Sequence, residues 1–301
     1  MPPSAPSTKL VSVGVYRKLS LIPHAFVVAA VGAATLFYAR YVEPAWVAVR
    51  QLELTLPRLG PEFDGYRIVQ MSDIHMDRWM TPERLAKIVD LVNEQKPDLV
   101  AATGDFITCS PLSSTAHLAP LLAKPLSRLR APDGVMAVLG NHDHRAGAES
   151  VRPHLREASI VELTNEIRTL RRGPSKLHVA GVDSMYMGRD RLGAVLDGLP
   201  DEGAVVLLAH EPAFALSSSA TGRFDLQLSG HSHGGQVRLP LLGALLYPRH
   251  SRPYSDGLYE TRGMHAYTNR GLGTGLSHLR ANCRPEISVL TLRSPEGGDE
   301  I

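Results

Sequence analysis

The feature that most constrains the fold is a set of five short apolar stretches, each followed directly by polar residues able to bind a metal ion. In chain order, these residues are Asp73 and His75, Asp105, Asn141 to Asp143, His210, and His231 and His233. Apolar runs of this length bounded by turn residues are typical of buried strands in parallel sheets. In open α/β sheets, ligands bind beyond the carboxyl ends of the strands. The sequence therefore predicts that the five strand ends meet at one pocket.

Helical patterns alternate with these strands. Thr81 and Pro82 are the residue types that begin a helix, and the apolar residues from Leu85 to Val92 recur with the spacing of one buried face. Further helices are expected near residues 118–130, 149–158 and 191–199, and further strands near residues 177–182, 204–209, 225–229, 264–268 and 286–292. This alternation predicts an α/β fold in which layers of helices cover sheets.

Each polar group has an ordinary explanation when it is taken alone. Asp105 and Asn141 each follow a glycine, a pattern that is typical of turns, and His210 is compatible with a buried core histidine. His231 and His233 are harder to explain in this way, because side chains at i and i+2 after a strand point in the same direction. Five unrelated turns with this order and these residue types are a poorer explanation than a single site.

The composition excludes several classes of protein. With 44% hydrophobic residues and a formal net charge of +2, the chain does not have the composition of a disordered polymer. Its two cysteines, Cys109 and Cys283, are too few for a disulfide scaffold or a zinc-finger set. Lys and Arg number 32 against 30 Asp and Glu, so no strongly basic balance indicates nucleic acid as a structural partner.

The N-terminal segment differs from the rest of the chain, since residues 19–39 contain no Asp, Glu, Lys or Arg. About 21 helical residues at about 1.5 Å each span roughly 30 Å, which is the thickness of the hydrocarbon core of a bilayer. We expect a single-pass membrane anchor at about residues 19–39. A removable signal peptide and a buried helix of a soluble protein are the alternatives. Basic residues flank both ends equally, so the side of the catalytic domain stays open.

The five polar groups together resemble a known family. Their order, D-x-H, G-D, G-N-H-D, H and G-H-x-H, is similar to that of the calcineurin-like metallophosphoesterases, and the flanking sequence resembles the membrane-anchored bacterial branch over roughly residues 45–293. The resemblance implies a four-layered α-β-β-α sandwich, the metallophosphoesterase fold, with a dinuclear metal site between its sheets. On this basis we expect a cytosolic or lumenal stub, the anchor and a linker in residues 1–48, and a catalytic domain in residues 49–301.

The resemblance also implies the metal ligands. Asp105 would bridge two ions, with a first ligand set of Asp73, His75 and His233 and a second ligand set of Asn141, His210 and His231. A bridging ligand must contact both ions, which the two oxygens of a carboxylate can do and an imidazole cannot. Mixed imidazole and oxygen ligands suit Mn²⁺, Fe or Zn²⁺ better than Ca²⁺, and we expect two divalent ions, Mn²⁺ above the others.

Further roles follow from the resemblance or stay open. His142 is the catalytic residue that the family pattern implies, either as a proton donor to the leaving oxygen or as a stabiliser of the transition state. Asp143 is expected to orient His142. The glycine-rich residues 271–275 fit a phosphate loop or a tight turn near the active site. Arg280 and Arg284 fit either a substrate anion or acidic partners in the core.

The sequence thus predicts a metal-dependent phosphoric ester hydrolase that cleaves a phosphodiester or pyrophosphate bond. An anchored enzyme meets lipid head groups and envelope material, so a phosphorylated small molecule or lipid, lipid-linked or from the envelope, is the expected substrate. A phosphatase or nuclease of soluble substrates and an inactive, metal-bound envelope-binding protein are the alternatives. An intact His142 argues against the inactive protein, because a binding module needs no proton donor beside two ions.

Overall fold

The computed structural model describes residues 13–109, 115–244, 246–275 and 278–295. The helices in these ranges are α1 (Val13–Phe37), α2 (Pro82–Glu94), α3 (Pro120–Leu126), α4 (Asn141–Ala146), α5 (Ala148–Glu157), α6 (Leu192–Gly198) and α7 (Ala215–Ser218). The strands are β1 (Ala48–Thr55), β2 (Tyr66–Met71), β3 (Leu99–Ala102), β4 (Val135–Ala137), β5 (Ile160–Glu162), β6 (Glu166–Arg172), β7 (Ser175–Gly181), β8 (Ala204–Leu208), β9 (Leu226–Ser229), β10 (Arg238–Leu239), β11 (Gly243–Ala244), β12 (Gly257–Thr261), β13 (Met264–Thr268) and β14 (Glu286–Arg293).

Two six-stranded mixed sheets form the centre of the fold. The first sheet has the order β1-β14-β2-β3-β4-β5, with β2 to β5 parallel. The second has the order β12-β13-β9-β8-β7-β6, with β13, β9, β8 and β7 parallel. All five strands that precede the polar groups, β2, β3, β4, β8 and β9, are therefore interior parallel strands.

The side chains of each sheet alternate between two apolar layers, as the period of a strand requires. In β2, Val69 and Met71 pack beneath α2, α3 and α5, whereas Tyr66 and Ile68 face the second sheet. In β8, Val206 lies between the sheets, and its neighbours pack on the other side beneath α6 and α7. The layers run helix, sheet, sheet, helix, so the predicted α-β-β-α sandwich is confirmed.

The N-terminal helix stands apart from these layers. Phe26, Val28 and Phe37 on α1 are 78%, 72% and 60% exposed, which does not fit a helix buried in a soluble core. Through a π-helical turn (Tyr38–Val42) and a 3₁₀ turn, α1 continues toward the sandwich. By length and composition, the segment His24–Ala45 can cross a membrane.

The expected linker between this helix and the sandwich is more ordered than the sequence predicts. Glu43 is buried, and its carboxylate accepts hydrogen bonds from the backbone N–H groups of Asn282, at 2.9 Å, and Cys283. Strand β1 follows and pairs in parallel with β14 at the edge of the first sheet. Several residues of β1 are polar or charged because the strand lies at the sheet edge and is partly exposed to solvent. For this reason the sequence did not predict the strand. The exposed strands β6 and β12 were missed for the same reason.

Candidate metal centre

The polar residues converge at the carboxyl ends of the parallel strands. Asp73 and His75 follow β2, Asp105 follows β3, and Asn141 begins α4 just after β4. His210 follows β8, and His231 and His233 follow β9, so both sheets contribute. All seven predicted ligands are buried. The structure therefore brings together residues up to 160 positions apart in the chain. They lie beyond the carboxyl ends of parallel strands, where open α/β sheets bind ligands.

The first ligand set is compact. His75 Nε2 lies 3.1 Å from His233 Nε2 and 3.9 Å from Asp73 Oδ1, and His233 Nε2 lies 3.4 Å from the same Asp73 oxygen. Three potential ligand atoms thus surround one point. Such close packing of two imidazole nitrogens and a carboxylate is favourable when a cation or a proton lies between them.

The second ligand set has its ring orientations fixed by backbone carbonyls. His210 Nδ1 donates to Thr103 O at 2.7 Å, which leaves Nε2 directed at Asp105 Oδ2, 3.2 Å away. His231 Nε2 donates to Arg249 O at 2.6 Å, which leaves Nδ1 as its free ligand atom. Carbonyl acceptors behind ligating histidines commonly select the tautomer in metal sites.

Asp105 lies between the two sets. The same oxygen, Oδ2, is 3.5 Å from His75 Nε2 in the first set and 3.2 Å from His210 Nε2 in the second. The other oxygen, Oδ1, accepts the backbone N–H of His142 at 2.8 Å. Gly140 permits this arrangement, because a Cβ at that position would lie 2.1 Å from Asp105 Oδ1. Among the residues that the structure describes, Asp105 is the carboxylate that lies close to histidines of both sets.

Several buried polar atoms here have no hydrogen-bond partner in the described part of the chain. They are Asn141 Oδ1, His75 Nδ1, His233 Nδ1 and His210 Nε2. A buried polar atom without a partner costs about 1–3 kcal/mol, so native structures seldom retain several in one place. Asn141 Oδ1 and His210 Nε2 face the cluster and are suited to coordinate a cation. The donor set therefore fits divalent metal ions.

The backbone at the site is strained in a regular way. Five of the seven predicted ligands have positive φ angles between 49° and 66°: Asp73, His75, Asp105, His231 and His233. For residues other than glycine, this left-handed conformation costs of the order of 1–2 kcal/mol each. Strain of this kind clusters at functional sites, where it directs side chains that a relaxed loop would point elsewhere.

Burial and mutual charge set the protonation of the cluster. Burial lowers the pKa of His75 to about 3 and that of His231 to about 4, so both imidazoles are neutral, the form that binds metals. Burial raises the pKa of Asp73 to about 6. It acts in the same direction on Asp105, but the neighbouring His210 outweighs it by charge and by a hydrogen bond and holds the pKa of Asp105 well below its usual value. Asp105 therefore stays ionised and can bind cations.

His142 lies at the edge of the cluster, half-buried, with its ring 4.7 Å from that of His75. Its Nδ1 accepts the backbone N–H of Cys109 at 2.9 Å, so the ring proton is on Nε2. The expectation that Asp143 orients His142 is wrong. The Asp143 carboxylate instead accepts hydrogen bonds from the backbone N–H groups of Phe106, Ile107 and Gly140. These amides lie in the buried connections that follow β3 and β4. The sequence did not predict that the backbone amide of Cys109 orients His142, because every residue except proline carries such an amide.

The glycine-rich segment is a tight turn, and the backbone N–H groups of Leu272 and Gly273 donate to the carbonyl oxygens of Ser72 and Asp73, so these amides do not cradle a phosphate. A Cβ at Gly273 would lie 2.5 Å from the carbonyl oxygen of Ile74 and 2.8 Å from His75 Cβ. Both alternatives for Arg280 are wrong, because this fully buried guanidinium donates to the carbonyls of residues 270, 271, 273 and 283. Arg284 likewise donates to the carbonyls of Trp46 and Val47. Both arginines hold loops in place.

A cleft of about 280 Å³ opens above the cluster. His142 lines it together with Arg145, Tyr186, Gln236 and Arg249. The Arg145 guanidinium stacks over the Tyr186 ring at 4.7 Å, and Arg145 and Arg249 are exposed. Two cationic side chains at the mouth suit an anionic substrate.

Comparison with known proteins agrees with this geometry. Residues 66–235 match the family described as calcineurin-like phosphoesterase. The chain is 38% identical over 261 residues to the metallophosphoesterase YkuE of Bacillus subtilis, covering 85% of this chain and 89% of that one. It is 31% identical over 265 residues to the phosphodiesterase YaeI of Escherichia coli, covering 85% and 92%. The solved structure of the sulfate thiohydrolase SoxB of Thermus thermophilus shares 17% identity, with a TM-score of 0.48 over 78% of this chain and 57% of that one. The chain belongs to the calcineurin-like metallophosphoesterase family, hydrolases that use divalent metal ions to act on phosphoesters.

Proposed function

We propose that this protein is a phosphodiesterase with two divalent ions, held by the first and second ligand sets and bridged by Asp105. The observation that carries the proposal is the position of Asp105 Oδ2, within 3.5 Å of a histidine in each set. When bound, two such ions lower the pKa of water to form a nucleophile and neutralise charge on the phosphoryl oxygens. The mixed nitrogen and oxygen donors favour Mn²⁺, with Fe or Zn²⁺ as alternatives.

The chain's own side chains would orient the substrate around that centre. With Nδ1 engaged by the Cys109 amide, His142 presents Nε2–H to the cleft. A neutral imidazole of this tautomer donates a hydrogen bond more readily than it gives up its proton. Of the two roles that the family pattern implies, the geometry favours stabilisation of the transition state by His142. Arg145 and Arg249 would bind the non-reacting part of an anionic substrate.

A phosphodiester is preferred over a monoester on two grounds. The relative from E. coli is named a phosphodiesterase. The cleft of about 280 Å³ is also lined by Tyr186 and Pro248 beside the metal-binding residues, and a second ester group could lie against these two side chains. A pyrophosphate bond in a lipid-linked or envelope substrate would fit the same charges and stays within the proposal.

We also propose that α1 anchors the enzyme in a membrane. The exposed apolar side chains of α1 and the length of His24–Ala45 support this. Residues 1–48 would then contain the stub, the anchor and the linker, and residues 49–301 the catalytic domain. The hydrogen bonds from the backbone N–H groups of Asn282 and Cys283 to Glu43 support a linker that ends against the catalytic domain.

The test uses the purified full chain in detergent, loaded with Mn²⁺. Bis(p-nitrophenyl) phosphate, p-nitrophenyl phosphate and a lipid pyrophosphate would be compared. The proposal predicts metal-dependent hydrolysis that is fastest with the diester or the pyrophosphate. Faster hydrolysis of the monoester would point to a phosphatase, and no hydrolysis of any substrate by metal-loaded protein would point to an inactive binding protein.

A further inference from the structure

A short apolar hairpin stands beside the metal centre. Strands β10 and β11 pair antiparallel a few residues after His233, and the hairpin continues to Pro248. Leu241, Leu242 and Leu246 on this hairpin are 106%, 73% and 81% exposed. Isolated exposed leucines are common, but several on one loop mark an interaction surface.

The apolar surface continues from the hairpin to the active site. A pocket of about 500 Å³ lies against the hairpin, lined by Val237, Leu239, Leu246 and Tyr247. His233, Gln236 and Pro248 line both this pocket and the cleft above the metal centre. Leu246 and the mouth of the cleft therefore belong to one continuous surface, with Leu241 and Leu242 at the tip of the same hairpin.

The charges around the hairpin indicate what covers this face. Residues 236–254 contain five Leu and three Arg but no Asp or Glu, and of these arginines Arg238 pairs with Asp256. Arg249 and Arg252 are exposed, and Arg252 lies 5.3 Å from the Tyr247 ring. Apolar side chains bordered by arginines are typical of segments that enter the interface of a bilayer with anionic lipids. A protein partner would more often present mixed charges at the rim.

The base of the hairpin is tied to the end of the N-terminal helix. Arg280 N–H donates to Ala39 O, and Arg40 Nη1 donates to His278 O at 3.2 Å. The next residue, Ala281, exchanges backbone hydrogen bonds of 2.9 Å with Gln236 and Arg238 at the hairpin base. The tip is about four residues further on, or roughly 13 Å at about 3.3 Å per residue. That distance is comparable to the depth of about 5–10 Å at which interfacial segments lie in a membrane.

We propose that this hairpin, residues 237–244 together with 246–247, is a second membrane contact, in which Leu241, Leu242 and Leu246 insert into the bilayer that α1 spans. The inference rests on the membrane anchor in the proposed function. It places the mouth of the cleft at the membrane surface, so the substrate class that follows is a phosphoester in the head group of a membrane lipid. The exposed arginines lie where they would meet anionic head groups.

The test places an environment-sensitive NBD fluorophore on single cysteines in the full chain. Cys109→Ser removes the accessible native thiol, and Cys283 is buried. Labels at Leu241→Cys on the hairpin and Phe26→Cys on α1 are compared with Val161→Cys, which lies on β5 at the opposite edge of the first sheet. The proteins are reconstituted in vesicles of phosphatidylcholine and phosphatidylglycerol that contain spin-labelled lipid.

The proposal predicts that spin-labelled lipid quenches most of the fluorescence at positions 241 and 26 and leaves that at position 161 unchanged. Quenching at position 26 without quenching at position 241 overturns the hairpin contact but keeps the anchor. No quenching at either position overturns the anchor as well. A label at position 241 that reports an apolar environment yet is not quenched also overturns the proposal, since the hairpin then packs on protein.

Discussion

The two ligand sets of the candidate metal centre differ in how their histidines are held. In the second set, His210 and His231 each donate to a backbone carbonyl, Thr103 O or Arg249 O. In the first set, His75 Nδ1 and His233 Nδ1 are buried without a hydrogen-bond partner among the residues that the structure describes. The histidine rings of the second set are therefore oriented before any ion binds, whereas no acceptor behind Nδ1 fixes the rings of His75 and His233.

Residues of the stretches 271–275 and 278–283 support the first set. Gly273 lies against His75, and Cys283 Sγ donates to the carbonyl oxygens of His233 and Gly234. Glu43 in turn holds the backbone at residues 282–283. The difference teaches that the second set depends on backbone carbonyls of the sandwich, whereas the first set depends in part on Glu43, in the polypeptide that leads from α1.

The largest effect is expected where the two sets meet. Asp105→Asn keeps the volume of the side chain but removes the charge that both sets share, so activity should fall on the order of 10³-fold and at least one ion should be lost. Diester hydrolysis and elemental analysis measure this. Asp90→Asn, on the exposed face of α2, is the matched control and should change neither. An Asp105→Asn enzyme with full metal content and activity would show that the sets are not bridged by this residue.

His142→Ala should give the next largest effect without touching either set. Loss of one donor aimed at the transition state typically costs about 10²–10³-fold in kcat. Metal content should be unchanged, and the loss should be similar for acidic and basic leaving groups, because the Cys109 amide keeps the ring in its neutral tautomer. His154→Ala, a partly exposed histidine on α5 that pairs with Glu157, is the control. A loss confined to poor leaving groups would favour proton donation, and a loss of metal would make His142 a ligand.

Metal removal should separate the two sets directly. Loss of the hydrogen-bond acceptor of a ligating histidine typically weakens metal affinity by about 10–100-fold. Because the histidines of the first set have no such acceptor among the residues that the structure describes, the ion in the first set should leave first. Titration of the Mn²⁺-loaded full chain with a chelator should show two steps. His233→Ala should abolish the weaker step, and His231→Ala the tighter one. A single step, or the reverse assignment, would contradict the comparison.

The smallest effect tests the connection to the N-terminal linker. Glu43→Gln weakens two hydrogen bonds that hold residues 282–283, at a cost of about 1 kcal/mol, or about fivefold in an equilibrium. The weaker chelator step should shift by about that factor and the tighter step should not move. Glu53→Gln, on the exposed face of β1, provides a control. Equal shifts in both steps would mean that Glu43 acts on general stability.

The sequence predicted the parts of this molecule that residue type and spacing specify. Buried strands such as β2 and β8 appeared as apolar runs, and α2 begins at Pro82 with Thr81 as its cap, as predicted. The convergence of Asp73, Asp105 and His210 followed from the rule that parallel strands present their carboxyl ends together.

The rest depends on tertiary contacts that leave no trace in spacing. The orientation of His142 by a backbone amide and the carbonyl partners of Arg280 both arise from loop conformation. Edge strand β6 alternates polar with half-buried residues, so nothing separated it from a loop. Glu43 lay in a segment without periodicity, and its partners are some 240 residues away in the chain.

The central claim, that Asp105 joins two ions in one centre, is tested most directly by a crystal of the active Mn²⁺-loaded protein. An anomalous difference map locates the metal without assumptions about its ligands. We expect two peaks about 3.5–4 Å apart, both in contact with the Asp105 carboxylate, one beside His75 and His233 and the other beside His210 and His231. A single peak, or two peaks of which only one contacts Asp105, in protein that hydrolyses diesters would contradict this account.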